Sequence, residues 1–226
     1  MSPLSTLLRT SHAAGLCSAS GLRLPSSSFN FTLSYLLDDL PASKTVGFQA
    51  VTPDAFTFLV RHGSLPPSLP ISAVHLAGAY PPAPGAACRQ WRMDGEAAAL
   101  PISSPAALST APASSLAQML ASRAWGARPA GPGGDAFHGG GEGWGLLPAE
   151  RRGEFEALVD GYKARLAEGV PGEMLEEVVG AVALYEVRPD RVELCEAGPD
   201  MWERTEWWRE DGGEGFKEPL ALLPYS

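Results

Sequence analysis

Side chains able to do chemistry are scattered along this 226-residue chain rather than gathered into one motif. The three cysteines, Cys17, Cys88 and Cys195, are far apart, odd in number and form no CxxC pair. The four histidines, His12, His62, His75 and His138, show no ligand spacing. A disulfide framework and a zinc site are therefore not expected, no metal-binding residue is assigned, and a reducing compartment is the default. Serines abound, but no G-x-S-x-G elbow exposes one as a nucleophile, and no catalytic residue is assigned. Gly139-Gly140-Gly141-Glu142-Gly143 looks like a phosphate cradle. It lacks the preceding strand and the following Lys-Ser/Thr that give such loops their mechanism, and reads as flexible loop. Glu173, Glu176 and Glu177 recur at helical spacing, the pattern of a solvated face. Trp202, Trp207 and Trp208 either stack on a planar ligand or pack in a core or dimer interface. The run Cys88 to Gly95 alternates, with Arg89, Trp91 and Met93 on one face and Gln90, Arg92 and Asp94 on the other. A strand there either presents Gln90 to a ligand from a barrel wall or exposes a polar face.

The elements that must position these groups are short. Hydrophobic residues make up 45% of the chain and charged residues 19%, a globular composition. With 25 Gly and 21 Pro, about a fifth of the chain, there is too much punctuation for a helical bundle. Phe29 to Leu37, Lys44 to Val51 and Phe56 to Arg61 read as strands, with Asp38-Asp39-Leu40-Pro41 as the first turn. Ile71 to Tyr80 is a further apolar run beyond the prolines at 66, 67 and 70. Residues 103–125 read as helix, 126–146 as a flexible Gly-rich loop, and Glu150 to Glu168 as an amphipathic helix with Phe155, Leu158, Val159, Tyr162 and Leu166 on one stripe. A helical turn follows Pro171. Strands are then expected at Ala181 to Val187 and Arg191 to Glu196 around a Pro189-Asp190 turn. Trp202 to Glu210 and Phe216 to Leu223 form a hairpin across Asp211-Gly212-Gly213. The fold class is mainly β with helical insertions, an α+β antiparallel barrel or sandwich.

Charge excludes one class of partner. Residues 1–130 carry eight basic against five acidic residues, net +3, and residues 131–226 carry nine against twenty-one, net −12. No basic stripe exists to track a nucleic acid. No apolar run reaches about 18 residues, so no membrane-spanning helix is expected. Residues 1–23 read either as a native helix, with Leu4, Leu7, Leu8, His12 and Leu16 at helical spacing, or as an organellar transit segment without acidic residues. The first reading makes the protein cytoplasmic, the second mitochondrial or chloroplastic. Residues 24–226 form a single domain in either case.

The order of the segments carries a resemblance. Leu24-Pro25, the strand from Phe29, and Leu40-Pro41-Ala42-Ser43-Lys44-Thr45-Val46-Gly47-Phe48-Gln49 resemble the opening of the pyridoxamine 5′-phosphate oxidase-like FMN-binding split barrels. The blocks Phe56 to Ser64, Arg89 to Gly95 and Arg188 to Leu194, with Arg204 beyond, follow in the family's order and together touch most of residues 24–223. The chain looks most like the branch that lacks the complete substrate arm; the family's Arg-x-His substrate motif is absent at Met201-Trp202-Glu203, which speaks against pyridoxamine phosphate oxidation itself. The resemblance implies a six-stranded Greek-key split β-barrel and a homodimer with FMN in grooves at the subunit interface. On that reading Lys44, Ser64 and Gln90 hold the cofactor, with Thr45 and Gln49 as further contacts on the same strand as Lys44 and Arg61 or Arg92 assisting at the phosphate. Lys44 stands where the family usually has Arg; Gln49 stands where it has Arg or Lys, and the basic residues after Ser64 are replaced by Leu65 and Pro66. Losing two charged hydrogen bonds would weaken FMN binding by about 3–6 kcal/mol. The expected function is an FMN-binding oxidoreductase-like protein with an unassigned small-molecule substrate. The alternative is a cofactor-poor, non-catalytic split-barrel dimer that serves as a binding or scaffold module.

Overall fold

The structure is a computed structural model that describes residues 3–4, 6–7, 30–52, 54–77, 89–109, 111, 113–127, 149–197, 202–210, 215–217 and 220–222. The chain divides into two compact units, residues 1–60, 65–100 and 184–226 in the first and 61–64 and 101–183 in the second.

The first unit is built on strands β1 (Asn30–Leu37), β2 (Leu40–Val51), β3 (Phe56–Arg61), β4 (Ser68–Ala77), β5 (Arg89–Leu100), β6 (Val182–Ala197), β7 (Trp202–Trp208) and β8 (Leu220–Leu222). Their order in the sheet is β3-β2-β1-β4-β5-β6-β7-β8, and β3 also pairs with β6. Strands β1 to β6 therefore close on themselves, while β7 and β8 continue from β6. Because β4 lies beside β1 rather than β3, the path is a Greek key. The fold is thus the mainly β split barrel with helical insertions that the sequence order implied.

Local chemistry explains the first hairpin. Leu37 pairs with Leu40, and Asp38 and Asp39 take φ of 52° and 63°, the two left-handed residues of a type I′ turn. Alternation then decides which residues face inward. Phe31, Leu33, Val46, Ala73, Trp91, Met93, Val192 and Leu194 are all buried and align across the ladders. Phe31 stacks on Phe56 at 5.1 Å and Phe58 on Tyr185 at 5.5 Å, so aromatic side chains fill much of this interior. Leu4 and Leu7, helical residues near the start of the chain, are fully buried as well.

Several expected boundaries move. The two strands expected around a Pro189-Asp190 turn are one strand, β6. The ladder shifts register between Asp94 and Gly95, and Gly95 pairs with Pro189, so Asp190 is absorbed as an extra residue. Gly95 is required there, since a Cβ would lie 2.5 Å from the Arg188 carbonyl oxygen and 2.8 Å from Pro189 Cα. The Asp190 carbonyl accepts the Arg209 N–H at 2.8 Å, so the bulge keeps a backbone partner. Strand β4 begins at Ser68, ahead of the expected Ile71, and β5 runs on to Leu100. Strand β7 stops at Trp208. Its partner is reduced to an Arg209–Phe216 bridge and the short β8, with Asp211-Gly212-Gly213 outside the described residues.

The second unit is helical. The single helix expected over 103–125 is a 3-10 turn at Pro105–Leu108 followed by α1 (Ala113–Gly126). Helix α2 (Ala149–Arg165) follows, and the helical turn expected after Pro171 is a 3-10 turn plus α3 (Leu175–Ala181). Of the stripe expected on α2, Phe155, Tyr162 and Leu166 are buried, whereas Leu158 and Val159 are half-buried. Phe155 meets Trp125 edge-on at 5.7 Å. The Tyr162 hydroxyl donates to Glu177, and burial together with that carboxylate pushes its pKa up to about 12. Most of the Gly-rich loop, 128–146, lies outside the described residues.

Candidate functional site

Directly paired residues of an antiparallel ladder share a face, so register places each expected site residue. Lys44 pairs with Leu33, in line with Ala73, Met93 and Val192, all buried. Lys44 is half-buried and belongs to the inner face. Thr45 pairs with Thr32, in line with Val74, Arg92 and Glu193 on the outer face. Gln90 pairs with Cys195, one step from Arg92 on the same outer face. The structure thus brings Gln90 and Arg92 side by side. It sets Thr45 on their face three strands away, and Lys44 on the opposite one.

Gln49 is the extra residue where the β2–β3 register shifts between Phe48 and Ala50. It is 7% exposed, its Nε2 donates to the Gly47 carbonyl at 3.5 Å, and its buried Oε1 has no partner. Arg61 ends β3, half-buried. Beyond it the Ser64 N–H bonds back to the Arg61 carbonyl at 3.1 Å, while the buried Ser64 Oγ has no partner. The Tyr185 hydroxyl donates to the carbonyls of Leu65 at 2.9 Å and Pro66 at 2.8 Å, which pins the segment after Ser64. Burial raises the Tyr185 pKa.

Sequence reasoning missed the most highly charged part of the outer face. Glu193 Oε2 accepts from Arg191 Nη2 at 2.7 Å and from Arg204 Nη2 at 2.8 Å. Arg191 also reaches Asp94 Oδ2 at 2.9 Å and Glu206, whose carboxylate is buried. Burial works against the Arg191 charge, but the Glu206 and Asp94 hydrogen bonds and the Glu193 charge outweigh it and raise its pKa. The Cys195 thiol donates to Glu193 Oε1 at 3.2 Å. Burial first, and that carboxylate second, push its pKa up to about 11. A signal was present: Arg191 and Glu193 on one strand and Arg204 and Glu206 on the next put opposite charges at alternate positions of neighbouring strands.

Chemically, the expected set offers amide, hydroxyl and guanidinium groups suited to a polar, phosphorylated, planar ligand. The orphaned Gln49 Oε1 and Ser64 Oγ fit such a ligand, since a buried polar atom without a partner costs about 1–3 kcal/mol. Two open depressions, of about 590 Å³ beside Ser34, Pro41 and Ser72 and about 460 Å³ beside Gln118, Phe155 and Lys163, contain none of the seven residues. No group of three His, Cys, Asp or Glu among the described residues could hold a metal ion. No described helix is long and apolar enough to cross a membrane.

No family model matches the chain, and no curated protein matches it. Solved structures do. PhzG from Burkholderia lata, in complex with tetrahydrophenazine-1-carboxylic acid, is similar at a TM-score of 0.57 and 17% identity, over 98% of this chain and 90% of that one. A pyridoxamine 5′-phosphate oxidase-related, FMN-binding protein from Nostoc punctiforme is similar at a TM-score of 0.50 and 16% identity, over 99% of this chain and 98% of that one. At these identities the likeness is one of fold. The chain has the fold of the pyridoxamine 5′-phosphate oxidase-like split barrels.

Proposed function

We propose that this protein is a flavin-binding split barrel, FMN being the cofactor, that works as a homodimer in an oxidoreductase role. The observation that carries the reading is the pair of buried, partnerless polar atoms, Gln49 Oε1 and Ser64 Oγ, at two positions where the sequence resemblance implies cofactor contacts. Gln90 and Arg92, side by side on the outer face, would contact the ligand, and Gln49, Arg61 and Ser64 are the further contacts proposed. Lys44 lies on the opposite face from Gln90, and a second copy of the chain would let both residue types reach one cofactor. Bound flavin would supply reversible electron acceptance. The chain's own residues would bind and orient it.

The test is the visible spectrum of freshly purified protein with and without FMN, joined to a melting curve and a mass measurement in solution. Ligand at 100 times its Kd adds about 2.7 kcal/mol. For a chain of this length that raises Tm by roughly 5–10 °C. Colourless protein whose Tm ignores millimolar FMN would overturn the reading.

A second reading, a cofactor-poor binding or scaffold module, draws on one observation. Two of the outer-face guanidinium groups, Arg191 and Arg204, are engaged by Glu193, and Arg191 by Asp94 and Glu206 too. A dimer in solution with no flavin response would favour this reading.

A further inference from the structure

The orphaned oxygen of Gln49 has a definite polarity. Its amide sets Nε2 toward the Gly47 carbonyl at 3.5 Å, where an oxygen would face another acceptor. The group left without a partner is therefore an acceptor, in a side chain more than nine-tenths buried, on the extra residue of a strand irregularity. Such irregularities re-aim a side chain away from the regular ladder. An acceptor of this kind is satisfied by a donor. A phosphate is ionised near neutral pH and presents acceptor oxygens, so it would meet Gln49 Oε1 with repulsion.

The segment after β3 has few backbone donors to offer. An anion cradle is made of successive backbone N–H groups. Over residues 62–67, the His62 N–H is given to the Ala181 carbonyl and the Ser64 N–H to the Arg61 carbonyl, so the N–H groups of Gly63 and Leu65 are not successive. Pro66 and Pro67 have no N–H at all. The carbonyls of Leu65 and Pro66, in turn, accept from Tyr185.

We infer that Gln49 is a specificity residue that recognises a neutral hydrogen-bond donor of the ligand, a ribityl hydroxyl or the imide N–H of the flavin ring, and not its phosphate. This rests on the flavin-binding reading above and deepens it. Recognition of this kind acts equally on phosphorylated and unphosphorylated flavin.

The experiment titrates the full-length wild-type chain, Gln49→Met and Gln49→Leu with riboflavin, FMN and lumiflavin, read by quenching of flavin fluorescence. Circular dichroism confirms that each variant is folded. Gln49→Met keeps the side-chain length while removing the acceptor. Both variants should weaken riboflavin and FMN by the same factor, about tenfold. If the donor is a ribityl hydroxyl, lumiflavin, which lacks the ribityl chain, binds wild type and variants alike. If it is the ring imide, lumiflavin loses the same factor. A loss confined to FMN would overturn the inference, because it would place the phosphate at Gln49. Unchanged affinities for riboflavin and FMN in a more stable variant would overturn it too, leaving the oxygen to a buried water. Binding of no flavin by the wild type would instead overturn the flavin-binding reading, and this inference with it.

Discussion

Replacing Glu193 by Ala probes the outer-face network most directly. The carboxylate is 3% exposed and accepts from two guanidinium groups at 2.7 and 2.8 Å and from the Cys195 thiol at 3.2 Å. Its removal leaves Arg191 with Asp94 and Glu206 and takes from Arg204 its 2.8 Å carboxylate partner. Breaking a buried ion pair on one side costs about 3–5 kcal/mol, and the two carboxylates left to Arg191 bring the expectation to about 3. With a urea dependence of about 3 kcal/mol/M for a chain of this size, the midpoint should fall by about 1 M. Glu193→Gln retains an acceptor and should lose about half as much. Arg204→Ala in the Glu193→Ala background should cost much less than Arg204→Ala alone, with a coupling of at least about 1 kcal/mol. Additive effects, or a Glu193→Ala shift below about 0.3 M, would refute the view that these charges stabilise one another.

Other expectations follow from the same geometry. Gly95→Ala drives a Cβ into the Arg188–Pro189 backbone and should destabilise by about 1–3 kcal/mol in urea; a loss under about 0.5 kcal/mol would show that the bulge has room. The Cys195 thiol, with its pKa at about 11 rather than 9, should be alkylated at pH 8 about 100-fold more slowly than an ordinary thiol, and Glu193→Ala should speed it. The reaction is followed by mass spectrometry in a Cys17→Ser/Cys88→Ser background. Tyr162 titrates near 10 when unfolded and about 12 when folded, so the stability it contributes is intact below pH 10 and is lost as pH rises toward 12. Urea midpoints across that range should fall more steeply for wild type than for Tyr162→Phe, and parallel curves would count against the assignment.

The resemblance named seven cofactor residues, but a linear order of motifs carries no account of faces. Within one strand alternation is legible, and Gln90, Arg92 and Asp94 do share a side. Between strands it is not, because whether Lys44 joins Gln90 or opposes it depends on the registers linking β2 to β1, β1 to β4 and β4 to β5. A shift of one residue in any of those ladders would reverse the answer.

Short-range chemistry was enough for much of this barrel. Two aspartates between apolar runs make the β1–β2 turn, Phe56 to Arg61 is β3 to the residue, and the arginine-tryptophan-methionine alternation marks β5. Those features depend on backbone preferences and side-chain periodicity, which neighbours in sequence carry by themselves. Closure of β3 onto β6, the Gly95–Pro189 approach that turns an expected loop into one long strand, the burial of Glu193 and Glu206, and the orphaned oxygen of Gln49 depend on groups from distant segments. A carboxylate or amide has no fixed preference for burial. Only the partners that packing sets around it determine whether it meets a guanidinium, a thiol or nothing at all.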